Sequence, residues 1–105
     1  MSFDRNLTGH ELELLKIAGA SDDFIAFVDV FPRSSAGKTV LGWFERGTLD
    51  DKNAADGKPY SGGGFFDKLW SGDTETAFNH ADSANQKHMK TLFKEPVRNP
   101  LVEVK

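Results

Sequence analysis

Phenylalanine is the residue that most constrains how this chain can fold, because it supplies much of a small apolar content. The chain has 105 residues, of which nine are Phe and none is Cys. Leu, Ile, Val and Phe together make up 26 of these residues, which is above the level of roughly 20% below which chains tend to stay disordered. We therefore expect one small globular domain over residues 1–105, with an aromatic core and without disulfides or thiolate-bound zinc.

Two segments have the sequence pattern of helices. Thr8 and Glu11 have the spacing of a capping box, which predicts a short helix over residues 9–18. Asp73 is placed to cap a long helix over residues 74–93. On that helix, the 3.6-residue period predicts a solvated face, opposite the apolar side chains, that carries Lys87, Lys90 and Lys94.

The segments between these two helices favour strands. Residues 22–31 match a helical apolar stripe as well as a strand, and their many β-branched and aromatic side chains favour the strand. Residues 38–47 are also rich in strand formers, so residues 32–37 would form a hairpin loop. We expect a third strand to begin near Lys58 and a short terminal strand at residues 101–105.

These elements predict an α+β fold. A small antiparallel sheet of three or four strands would pack against the long C-terminal helix and the short N-terminal helix.

The sequence Gly37-Lys38-Thr39 has the form in which phosphate-binding P-loops end. Pro32, however, lies where the first glycine of such a loop is required, and proline has no amide hydrogen to donate to a phosphate. We therefore predict that the chain binds neither ATP nor GTP.

Histidine is the remaining candidate for metal binding or catalysis, and the chain has three: His10, His80 and His88. His80 and His88 would lie about 12 Å apart along one helix, which is too far to hold the same ion. No Ser, His and acid grouping can be assigned from spacing alone, because such triads assemble in space. We predict no metal, no cofactor and no enzymatic activity.

The function that these exclusions favour is binding to another protein, by a small non-catalytic adaptor, regulator or inhibitor of the kind carried by phages and mobile elements. One alternative is a single-stranded nucleic-acid-binding protein that uses strand aromatics. Residues 38–70 hold five basic and five acidic groups, a balance that argues against nucleic acid. A second alternative is a small enzyme without a recognisable motif. The partner and the oligomeric state are left open.

The candidate binding residues fall in two groups. The first surrounds the glycines at positions 62–64, which are either functional or a flexible connector, and consists of Tyr60, Phe65, Phe66 and Trp70. The second is the basic face of Lys87, Lys90 and Lys94, because residues 87–105 carry a net charge of +3 in a chain whose total is −3. The sequence has no secretory signal or apolar membrane span, so we expect a cytoplasmic protein.

Overall fold

The computed structural model describes residues 5–59 and 63–93, and these residues fold into six α-helices. The helices are α1 (Gly9–Ile17), α2 (Asp22–Val30), α3 (Ser35–Arg46), α4 (Gly64–Trp70), α5 (Thr74–His80) and α6 (Ser83–Phe93). A short 3₁₀ helix, Ala54–Asp56, lies between α3 and α4. Within the described residues there is no strand, so the predicted α+β fold with an antiparallel sheet is wrong. No helix in this part of the chain is long and apolar enough to cross a bilayer.

The N-terminal helix is confirmed. In α1 the hydroxyl of Thr8 accepts a hydrogen bond from the amide of Glu11 at 3.1 Å. The Glu11 carboxylate accepts the amide of Thr8 at 3.0 Å, which completes the predicted capping box. Leu14 and Leu15 are buried and attach the helix to the core.

Residues 22–31 were predicted as a strand, and the structure forms α2 there instead. The Ser21 hydroxyl caps the helix by accepting the amide of Phe24 at 3.1 Å. Phe24, Phe27 and Val28 are fully buried, at the spacing of one helical face. Burying this stripe outweighs the strand preference of the individual side chains, because propensity differences amount to only about 1 kcal/mol.

Residues 38–47 were also predicted as a strand, and they belong to α3. The Ser34 hydroxyl accepts the amide of Gly37 at 3.1 Å and caps the helix. Gly47 ends it with a φ of 74°, the left-handed conformation in which glycine is favoured after a helix. Val40 and Trp43 are buried three residues apart, which is a helical period rather than a strand period.

The predicted third strand is wrong as well. Lys58 lies in the loop after the 3₁₀ helix, and the aromatic segment that follows is helix α4. Phe66, Leu69 and Trp70 are buried at helical spacing. The predicted strand at residues 101–105 lies outside the described residues.

The predicted long helix over residues 74–93 is divided in two. Ala81 adopts an extended conformation with a ψ of 147°, which ends α5. The Asp82 carboxylate then accepts the amide of Asn85 at 2.9 Å and begins α6. Asn85 and Met89 form the buried face of α6, where the sequence placed the packed face.

Aromatic rings from three helices make the centre of the core. Phe24 of α2 lies 5.0 Å, between ring centroids, from both Phe66 and Trp70 of α4, in edge-to-face contacts. Trp43 of α3 lies 5.5 Å from Phe66. The Lys58 ammonium pairs with Asp67 and lies within 6 Å of the Phe66 and Trp70 ring centroids. Lys58, in the loop after the 3₁₀ helix, is thus attached to the same cluster.

An arginine near the start of the described chain fixes the segment before α1. The Arg5 guanidinium donates two hydrogen bonds of 2.8 Å to the Glu11 carboxylate and one of 3.0 Å to Glu45 of α3. The hydrogen bonds from Arg5 hold the pKa of Glu11 below its ordinary value of 4.5. The segment before α1 is therefore tied to both α1 and α3.

The aromatic core gives a first prediction, on Phe66. Replacing Phe66 by Ala should lower the free energy of unfolding by about 3–5 kcal/mol, because it removes the ring that contacts Phe24, Trp43 and Trp70. Lys87→Ala is the control and should change stability by less than about 0.5 kcal/mol, because Lys87 is exposed. Urea denaturation measures both, and equal effects would contradict this packing.

The Arg5–Glu11 pair gives a second prediction, on pH dependence. Because the folded-state pKa of Glu11 is lowered, its stabilisation is present above about pH 4.5 and is lost as the pH falls through the folded-state value. Glu11→Gln keeps a capping-box side chain but cannot ionise. Between about pH 7 and pH 3, the wild type should lose about 0.5–1 kcal/mol more stability than this variant, a modest figure because the pair is partly exposed.

The matched control for that experiment is Glu13→Gln. Glu13 is exposed on the same helix and makes no ion pair within the described residues. Its replacement should leave the acid dependence of unfolding unchanged. The same acid dependence in the wild type and in both variants would mean that the Arg5–Glu11 pair does not stabilise the fold in solution.

Candidate functional site

A concave surface of about 380 Å³ lies where the end of α2 meets α6 and the segment before α1. We call it the Val30 groove. It is lined by Asn6, Val30, Phe31, Pro32, Arg33, Ser34 and His88. Apolar and aromatic side chains with a few polar groups are the usual lining of a binding groove.

Val30 gives the groove its apolar surface. Its side chain is 52% exposed, although it belongs to a helix whose other large apolar residues pack inward. Ile17 of α1, 53% exposed, is the other large apolar residue that is open to solvent in the described part of the chain. Ile17 does not line the groove, so its exposure is that of an isolated surface side chain.

A stacked pair of rings forms another wall. The Phe31 ring and the His88 imidazole are 4.2 Å apart between centroids, with 24° between their planes. Phe27 lies behind them, with its ring 5.4 Å from Phe31 and 6.2 Å from His88. The pair thus fixes the position of α6 against the end of α2.

The third wall is the connection from α2 to α3, where residues 32–37 were predicted as a hairpin loop. Residues 32–34 form a tight turn, and α3 begins at Ser35. The Ser34 hydroxyl donates to the Phe31 carbonyl at 2.7 Å and closes the turn.

Gly37 makes this turn possible. A Cβ atom at that position would lie 2.4 Å from the Pro32 carbonyl oxygen, closer than such atoms approach in proteins. Gly37, the glycine of the Gly37-Lys38-Thr39 sequence, therefore allows α3 to pack closely against the turn that precedes it. The amides of Gly37 and Lys38 donate to the Ser34 hydroxyl and carbonyl as a helix cap.

A second groove, of about 350 Å³, lies on the other side of the start of α3 and is more polar. We call it the His80 groove. Its polar side chains are Ser35, Thr39, His80, Asp82 and Asn85, and Phe65 and Phe66 form its apolar wall.

Three polar residues of the His80 groove, Ser35, Asp82 and Asn85, are joined by hydrogen bonds. Asn85, which is buried, donates through Nδ2 to the Ser35 hydroxyl at 3.2 Å, and its amide donates to Asp82. Within the described chain, no hydrogen bond joins His80 to Ser35 or Asp82, so the three do not form a catalytic triad here. The described residues also contain no cluster of three metal-ligating side chains.

The aromatic residues that the sequence analysis proposed for binding lie mostly inside the protein. Phe66 and Trp70 are 7% and 8% exposed and belong to the core. Phe65 is partly buried, 5.7 Å from the Phe27 ring between centroids, and borders the His80 groove. On a strand, consecutive residues such as Phe65 and Phe66 would point to opposite faces, whereas on helix α4 they are about 100° apart around the axis. Tyr60 lies outside the described residues.

The basic residues proposed from the sequence are on the surface of α6. Lys87 and Lys90 are exposed, and the Lys90 ammonium lies 5.7 Å from the centroid of the Phe78 ring. Neither forms an ion pair within the described residues. Lys94 lies outside them. Lys87 directly precedes His88 in the sequence of α6, but neither Lys87 nor Lys90 lines the Val30 groove.

Sequence reasoning missed Val30, Arg33 and the role of His88. Val30 is recognisable only once residues 22–30 are assigned to a helix, because it then lies off the stripe that Phe24, Phe27 and Val28 form. If the same segment were a strand, Val30 would share a face with Val28, and nothing would distinguish it from its neighbours. No local signal pairs Phe31 with His88, which are 57 residues apart.

The turn gives a third prediction, for which α3 offers a matched pair of glycines. Gly37→Ala should destabilise the protein by about 1–3 kcal/mol, because the added Cβ meets backbone. Gly42→Ala should be neutral or stabilising by up to about 1 kcal/mol, because its Cβ meets only the movable Arg46 guanidinium and alanine favours the helix. Urea denaturation compares them, and equal effects would contradict the close approach of the turn to α3.

Comparison of the chain with protein-family models, with curated proteins and with solved structures finds no match in any of the three. The Val30 groove is therefore interpreted from its own residues. These are an exposed valine, a stacked phenylalanine and histidine, and an arginine at the edge.

Proposed function

We propose that this chain is a small non-catalytic protein-binding domain, of the adaptor, regulator or inhibitor type, and that the Val30 groove holds a segment of its partner. The observation that carries the proposal is the exposed Val30 side chain, placed beside the Phe31–His88 stack in a groove of about 380 Å³. A groove of this size accommodates one or two side chains of a protein segment.

The internal contacts of the groove walls support this proposal. The turn is closed by the Ser34 hydroxyl, and Arg5, which precedes Asn6 of the groove, ties the segment before α1 to Glu11. His88 is held by ring stacking on Phe31. Because these contacts are formed without a partner, binding would cost little ordering entropy.

The nucleic-acid alternative is less well supported by the arrangement of aromatic rings. A stacking platform for single-stranded nucleic acid needs exposed rings. Of the described rings that such a platform would have used, Trp43, Phe66 and Trp70 are at most 8% exposed, and Phe44 and Phe65 are partly buried against the core. The enzyme alternative would use Ser35, His80 and Asp82, which line the His80 groove without a hydrogen-bonded relay among them.

The fourth prediction tests the groove with two matched substitutions. Val30→Gln should weaken partner binding about tenfold or more, because a polar amide would replace the apolar contact at the centre of the site. Ile17→Gln makes the same kind of change at an equally exposed position outside the groove and should leave binding unchanged. Both variants should unfold in urea as the wild type does, because both side chains are exposed.

The measurement has two steps. Affinity purification from the source cell with the wild type and both variants, followed by mass spectrometry, selects proteins that are depleted with Val30→Gln and retained with Ile17→Gln. The dissociation constant of each selected protein is then measured with purified components. If every protein captured by the wild type is also captured by Val30→Gln, the Val30 groove is not the binding site.

A further inference from the structure

We infer that the partner segment held in the Val30 groove carries a carboxylate next to an apolar side chain, and that Arg33 pairs with the carboxylate. This inference rests on the proposed function of the groove and names the chemistry of its occupant. The occupant is an acidic and apolar segment of another protein.

Arg33 is the residue from which the inference starts. It lines the groove, is exposed and makes no ion pair with any described residue. The groove lining also contains no acidic residue. A guanidinium in this position can donate two parallel hydrogen bonds to a carboxylate without displacing an internal partner.

The other two arginines of the described chain, Arg5 and Arg46, do not line the groove. Arg5 is engaged by both Glu11 and Glu45. The Arg46 guanidinium lies over Gly42, where it would be 2.8 Å from an added Cβ atom. Arg33 alone among these three combines a free guanidinium with a place at the edge of an apolar groove.

The charge within the groove lining favours a negative ligand. Lys87 directly precedes His88 and is exposed and without an ion pair in the described structure, but it does not line the groove. Asp29 precedes Val30 and is exposed, but it does not line the groove. Within the lining itself the only permanent charge is that of Arg33. A segment with a carboxylate beside an apolar side chain would therefore complement both Arg33 and the apolar surface of Val30 and Phe31.

An exposed ion pair of this kind contributes more to specificity than to affinity, because solvent and salt screen it. The apolar contact with Val30 and the Phe31–His88 stack would supply most of the binding free energy. Arg33 would then distinguish an acidic segment from a neutral one of the same shape.

The fifth prediction uses short blocked peptides as probes. Their binding is followed by nuclear magnetic resonance through the resonances of the full chain. One peptide has the sequence Gly-Leu-Asp-Gly and the other Gly-Leu-Asn-Gly, each acetylated and amidated. Both should shift the resonances of Val30, Phe31 and His88, and the aspartate peptide should bind about fivefold more tightly at low salt, as expected for one exposed ion pair. The preference should shrink as the salt concentration rises.

Two variants locate the origin of this preference. Arg33→Gln should abolish the difference between the two peptides while leaving the weaker binding of the asparagine peptide in place. Lys38→Gln removes the same charge from an exposed residue that does not line the groove, and it should keep the preference. A preference lost equally in both variants would indicate long-range charge and would overturn a direct role of Arg33.

The outcomes separate this inference from the proposed function. Equal binding of the two peptides at the groove would overturn the inference and leave the proposed function standing. If neither peptide shifts the groove resonances, the proposed function of the groove fails as well. Stronger binding of inorganic phosphate or of a short oligothymidylate at Arg33 would overturn the acidic-peptide proposal in favour of a phosphate ligand.

Discussion

The contact between Phe24, Phe66 and Trp70 is the interaction on which the rest of this structure depends. Each helix is only 7 to 12 residues long, and helices of that length are marginal in water by themselves. The edge-to-face contacts at 5.0 Å join α2 to α4, and Trp43 adds α3 to the same cluster. With a modest apolar content, the chain uses a few large rings, each of which buries much area, to hold the short helices together.

The Val30 groove results from the tight turn that follows α2 and from the way α6 packs beside the end of α2. The turn after α2 must be tight for α3 to return to the core, and it is tight enough that only glycine fits at position 37. The inward stripe of α2 ends near Val30, and α6 packs through Met89 and the His88 ring rather than over Val30 itself. The side chain left uncovered, together with Arg33 in the turn, makes the proposed binding surface.

The candidate site could be predicted from the sequence only in part. The solvated lysines of α6 are exposed as expected, because a helical period with charged residues on one side is a strong local signal. Phe66 and Trp70 are in the core instead of at a binding edge, because the segment that contains them is a helix whose spacing turns both inward. The Val30 groove could not be predicted, since its walls come from Asn6, residues 30–34 and His88, which only the packing brings together.

The sequence by itself determined that the core would be aromatic, that a capping box would begin a helix at Thr8, and where the buried face of α6 would lie. These features depend on the type of side chain, on hydrogen bonds between residues close in sequence and on the 3.6-residue period of a helix. All three can be recognised within a short stretch of sequence. Only the tertiary structure decided that the segments 22–31 and 38–47 form helices α2 and α3. Their β-branched and aromatic side chains favour strands, but this preference is smaller than the free energy gained when one apolar face of each helix is buried. It also decided which apolar side chain stays exposed, since that depends on where distant helices stop covering one another.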